Sequence, residues 1–220
     1  AMPSASFTSL SCSFFCVPCY RKPGRLGKWT GARMTALLFA MVASFVAAIG
    51  ARDQLLVARL TGALGAANGL LVVALTSSAV TAITAAWLGS LLARTMSGSA
   101  ATMFVALALL LAAFECAWPN RERVPREPTR SLGAAFIVLC FRQMTDASRF
   151  LVAAMAVVFA YWPLAGLGGA IGGGAAVTMG WLSGTALEAR LPLRRLRIGL
   201  AVLLFGLGVI TGLSARGIIA

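Results

Sequence analysis

Six apolar runs of spanning length follow one another from Met34 to the end of the chain, and they set the fold class before any motif is considered. They cover about 34–60, 66–93, 100–118, 132–161, 164–187 and 198–213. A helix needs about 20 mostly apolar residues to cross the hydrocarbon core, and lipid leaves backbone polar groups no partner outside their own segment. The expected fold is therefore an all-α integral membrane protein with six transmembrane helices. Composition agrees: 60% of the residues are hydrophobic and 11% charged, against about 25% charged in an ordinary soluble domain.

One connection is plainly polar. Residues 119–130 hold three prolines and six charges, which marks 119–131 as a linker between 34–118 and 132–220. Each part contains three of the expected helices. An odd number per part means that two related parts would be inverted with respect to one another in the membrane, an architecture of transporters. Residues 1–33 are Ser-rich, then basic through Arg21, Lys22, Arg25, Lys28 and Arg33, with no spanning run. They are expected to form a disordered tail, with Met34 as an alternative start.

Of the 19 Lys and Arg residues, 17 are Arg, against 6 Asp and Glu and no His. On a soluble face this would indicate nucleic acid. Here the bases gather between apolar runs, so no nucleic-acid partner is expected. Nine Arg fall near the loops after helices one, three and five: Arg59, Arg121, Arg123, Arg126, Arg130, Arg190, Arg194, Arg195 and Arg197. Arg94 and Arg216 mark the other side, so the base-rich side is expected to be cytoplasmic, in the cell inner membrane. The lack of His removes the usual general base and a favoured metal ligand, and no nucleophile and base pair suggests an enzyme. No cofactor is expected.

Charges inside the apolar runs are the functional signal, because an ionised side chain at mid-bilayer costs about 2.5–3.5 kcal/mol on insertion scales. Helix one carries Arg52 and Asp53; helix four carries Arg142, Asp146 and Arg149. These helices hold the same ordinal position in their halves. In unbroken helices turning about 100° per residue, Asp53 and Asp146 would face different directions. Arg52 could then reach Asp146 as a packing ion pair. Glycines four apart, such as Gly168 with Gly172 and Gly169 with Gly173, predict close helix packing, and the stretch from Gly166 to Gly174 is also where helix five could break.

The segment Phe45-Val46-Ala47-Ala48-Ile49-Gly50-Ala51-Arg52-Asp53-Gln54 resembles the first signature of the Gdt-one family of cation/proton exchangers, Glu-x-Gly-Asp-(Lys/Arg)-(Ser/Thr)-Gln. Gly50, Arg52 and Gln54 match it, while Ala48, Ala51 and Asp53 replace its Glu, Asp and Ser/Thr. A second copy, Gln143-Met144-Thr145-Asp146-Ala147-Ser148-Arg149, keeps Asp146 and Ser148. The resemblance extends over about 34–213 and implies a six-helix exchanger of Mn2+ or Ca2+ against protons. It implies transport residues Asp53 and Asp146, neutral oxygens from Gln54, Gln143, Thr145 and Ser148, and counter-charges Arg52, Arg142 and Arg149. Expected partners are the bilayer, the transported cation and protons, with a homo-oligomer left open. The alternative expectation is a non-transporting structural or regulatory membrane subunit whose intramembrane charges form packing ion pairs.

Overall fold

A computed structural model describes residues 29–65, 67–119, 131–184, 186 and 192–218. The tail through residue 28 and the linker at 120–130 lie outside the described residues. Among those described there are eight helices: α1 (Trp29–Ala48), α2 (Arg52–Leu64), α3 (Asn68–Thr95), α4 (Gly98–Ala117), α5 (Leu132–Met144), α6 (Ala147–Phe159), α7 (Trp162–Ser183) and α8 (Leu193–Ala215). The fold is all-α, as expected.

Two of the expected helices are broken. Helix one divides into α1 and α2, with a 60° bend between Met34–Ala48 and Arg52–Ala63. Gly50 sits at this break with φ +71, a left-handed conformation that glycine adopts without steric cost. Helix four divides into α5 and α6 at Thr145 and Asp146, where Asp146 becomes the N-cap of α6. Helix five, by contrast, is continuous from Gly166 through Gly180. Helix α1 starts at Trp29, ahead of Met34, and α8 starts at Leu193, ahead of 198.

Helices α3, α4 and α8 are long and apolar enough to cross a membrane, and the bent α1–α2 pair makes a fourth candidate span. Their outer faces are apolar, with Val72, Leu107, Val202 and Phe205 more than half exposed, as lipid contact requires. Helices α5 and α6 are apolar but have only 13 residues each. Helix α7 has the length, but its seven glycines dilute its hydropathy.

The centre of the bundle is α6, which packs against α1, α3, α4 and α7. Much of the core is alanine: Ala40, Ala86, Ala156 and Ala165 are fully buried where α1, α3, α6 and α7 meet. Small side chains bring helix axes close, and α7 takes this furthest. A Cβ on Gly168 or Gly172 would strike the α1 backbone at Leu37 and Met41. The Ser44 hydroxyl on α1 donates to the Gly169 carbonyl at 3.1 Å across this contact. The glycine pairs therefore serve close packing.

Candidate functional site: a charged cluster at two helix breaks

Each break leaves backbone groups that regular helix would have paired, and buried side chains replace the missing bonds. At the first break, Gln54 Oε1 accepts from the Gly50 N–H at 2.7 Å, and Gln54 Nε2 donates to the Ala176 carbonyl on α7 at 2.8 Å. Asp53 Oδ1 accepts from the Gln54 N–H at 2.8 Å in the first turn of α2. At the second break, Asp146 Oδ2 accepts from the Ser148 N–H at 3.2 Å and from the Ser148 hydroxyl. A carboxylate is stabilised at both places by the unpaired N–H groups and positive dipole end of the helix that follows.

The expectation that Asp53 and Asp146 face apart assumes unbroken helices, and the breaks remove that premise. That reasoning carried one helical phase through each run, whereas each acid lies at the start of a new helix. Asp53 is beside Gln143 and interacts electrostatically with Asp146 and Arg149. All four side chains are at most 4% exposed. Gln143 Oε1 is 3.1 Å from the Thr81 hydroxyl, while its buried Nε2, next to Asp53, has no acceptor in hydrogen-bonding geometry.

Arg149 is the hub of the cluster. Its Nε donates to Thr81 Oγ1 at 2.9 Å, Nη1 to Ser148 Oγ at 3.3 Å, and Nη2 to Ser78 Oγ at 3.1 Å and the Ser78 carbonyl at 3.3 Å. Gly173 makes room for it, since a Cβ there would lie 2.9 Å from Nη1. The guanidinium thus joins α6 to a buried hydroxyl stripe on α3, Ser77, Ser78 and Thr81, that sequence reasoning passed over as ordinary apolar helix. Its three-residue and four-residue spacing was the available signal.

Arg52 corrects another expectation: its Nε lies 3.8 Å from Glu115 Oε1, so its ion-pair partner on α4 is Glu115, in place of Asp146. Glu115 Oε2 accepts from Arg197 Nη2 at 2.8 Å and from the Ala147 N–H, beside Asp146, at 3.3 Å. Sequence reasoning missed Glu115 and counted Arg197 as a loop base. Arg197 is 5% exposed and lies inside α8. Thr145 does not point into the cluster: it is exposed and its hydroxyl donates to the Arg142 carbonyl at 3.2 Å. Arg142 is half-buried in the last turn of α5.

The charge balance changes accordingly. Two acids facing three arginines becomes Asp53, Asp146 and Glu115 with Arg149, Arg197 and the partly exposed Arg52. Among the described residues, no three His, Cys, Asp or Glu side chains are close enough to share one metal ion. Compared with known proteins, the chain matches no family model, no curated protein and no solved structure.

Replacing Gln54 with Leu is expected to orphan the Gly50 N–H and the Ala176 carbonyl together, at about 1–3 kcal/mol for each buried group. Thermal unfolding of the purified protein in detergent checks this, and an unchanged midpoint would show that Gln54 does not hold the break.

Proposed function

We propose that the protein is a multi-pass inner-membrane antiporter that exchanges a cation, Mn2+ or Ca2+, for protons through two inverted three-span halves. In this reading α1–α2 and α5–α6 are the equivalent broken spans, followed in each half by two continuous helices, α3 with α4 and α7 with α8. The packing pattern supports the pairing: α1 lies on α7 as α5 lies on α3, α2 lies on α7 as α6 lies on α3, and the pairs α3–α7 and α4–α8 contact one another. The resemblance of the two break sequences to the Gdt-one signatures points the same way.

The observation that carries the reading is that Asp53 and Asp146 are both buried, each at the start of a helix that follows a break. Interrupted helices near mid-membrane are where transporters bind ions, because the freed backbone ends and polar side chains replace water. An acid pair with Gln143, Ser148 and Thr81 beside it supplies both a proton acceptor and neutral oxygens of the kind that hard cations prefer.

A second reading has its own support. Arg149 fills the space among these oxygens, and no three-ligand metal group occurs among the described residues. Both features fit a structural or regulatory membrane subunit whose buried charges lock α3, α6 and α7 together.

Reconstitution into proteoliposomes separates the two. Exchange predicts Mn2+ or Ca2+ flux driven by a pH gradient, falling at least tenfold in Asp146→Asn while that variant still elutes as a monodisperse protein. Flux of neither ion in the unsubstituted protein, with Asp146→Asn only lowering the unfolding midpoint, would establish the structural reading.

A further inference from the structure

The Glu115 carboxylate, near the end of α4, ties together three other helices. Oε2 accepts from Arg197 Nη2 on α8 at 2.8 Å and from the Ala147 N–H, the first of α6, at 3.3 Å, and Oε1 lies 3.8 Å from Arg52 Nε on α2. Arg197 Nη2 also donates to the Glu115 carbonyl at 3.3 Å. The stem of Arg197 lies against the first break, where a Cβ on Gly50 would come within 3.3 Å of its Cδ. One ion pair therefore touches both helix breaks, Arg197 at Gly50 and Glu115 at Ala147, the residue after Asp146.

The same pair borders an open cavity of about 960 Å³, whose wall includes Gly50, Cys116, Trp118, Leu193 and Arg197. Among the described residues of that wall neither Asp53 nor Asp146 occurs, and both are at most 4% exposed. The bonded sequence inward from the wall is Arg197, Glu115, the Ala147 N–H and then Asp146. The pair is also held against a cost. Arg197 Nε and Nη1 are buried with no hydrogen-bond partner, so the attraction that keeps Arg197 on Glu115 is opposed by a desolvation penalty that hydration would relieve. Opposed contributions of this kind bring two arrangements close in free energy, as a gate requires.

We propose that Glu115 and Arg197 form the gate between this cavity and the buried acids, closed in this arrangement and parted when an ion passes from the cavity to Asp146. The proposal rests on the exchange reading above and makes the cavity the aqueous entrance on one side of the membrane. Alternating access around a fixed site needs a barrier that opens on one side at a time. Arg52, whose side chain is 38% exposed, gives Glu115 a second cation to hold when Arg197 withdraws, so the carboxylate keeps a partner in both arrangements.

Thiol reactivity of the full-length protein in detergent tests the gate. With the five native cysteines replaced by alanine, Ser148→Cys puts a nearly isosteric thiol beside Asp146, inside the gate, and Ala165→Cys puts one in the fully buried contact of α1, α3, α6 and α7, away from the route. Reaction of the Ser148→Cys thiol with a small cationic methanethiosulfonate is expected to be about tenfold faster when Arg197→Gln or Glu115→Gln is added, as the open population rises. Glu115→Gln keeps an oxygen for the Ala147 N–H and removes only the charge. The Ala165→Cys thiol is expected to react at the same slow rate in every background. A Ser148→Cys rate that neither substitution changes would overturn the gate, as would an equal rise at both thiols, which reports general loosening of the bundle. Mn2+ or Ca2+ flux into proteoliposomes of the unsubstituted protein judges the exchange reading separately. Flux with unchanged thiol rates leaves exchange standing without this gate, and no flux removes both.

Discussion

Arg149→Met is expected to lower stability by about 3–5 kcal/mol and to remove most of the folded protein, the usual outcome when one partner of a buried charged network is deleted. Methionine keeps much of the volume but none of the donors. Ser78, Thr81 and Ser148 each lose a hydrogen bond, and Asp53 and Asp146 lose a cation that interacts with both. The stranded charges dominate, so the effect should be strongly non-additive. Adding Asp53→Asn and Asp146→Asn to Arg149→Met is expected to recover a large part of the loss. Unfolding midpoints of the single, double and triple variants in detergent decide the matter. Equal losses with and without the acids intact would mean that Arg149 stabilises only through its neutral hydrogen bonds.

The second large effect comes from the contact between α1 and α7. Gly168→Ala and Gly172→Ala each place a methyl group against backbone, which cannot rotate away as a side chain can. Each is expected to cost about 1–3 kcal/mol as α1 is pushed outward. The displacement would also pull on the Ser44 hydrogen bond to Gly169. Gly206→Ala on α8 is the control, because nothing lies within 4 Å of a Cβ there. That variant should be neutral or slightly stabilising, since alanine favours helix over glycine. Comparable losses at all three positions would mean that helix flexibility, and not close approach, is what these glycines provide.

Much of this fold could be read from hydropathy. The runs at 66–93 and 100–118 fall within two residues of α3 and α4 at either end, because an uninterrupted apolar helix leaves a clear trace. The breaks left a fainter one. Neither contains proline, and hydropathy continues across both, so each pair of helices reads as one run. Local chemistry carried the missing information: a glycine three residues ahead of an acid at Gly50 and Asp53, and an Asp-x-Ser at Asp146 of the kind that caps a helix. Glu115 and Arg197 were obscured for a different reason. Both lie near the end of an apolar run, where a charge is ordinarily wet, and the packing of α4 against α8 and α6 encloses them.

The side chains that close each break reach into the opposite half of the chain. Gln54 is fastened to Ala176 on α7, and the Arg149 that follows the second break is fastened to Ser78 and Thr81 on α3. During synthesis Asp53, Gln54, Ser78 and Thr81 are therefore made before the partners they will finally have. Those partners lie between residues 143 and 176. Closure of both breaks therefore needs the two parts of the chain together.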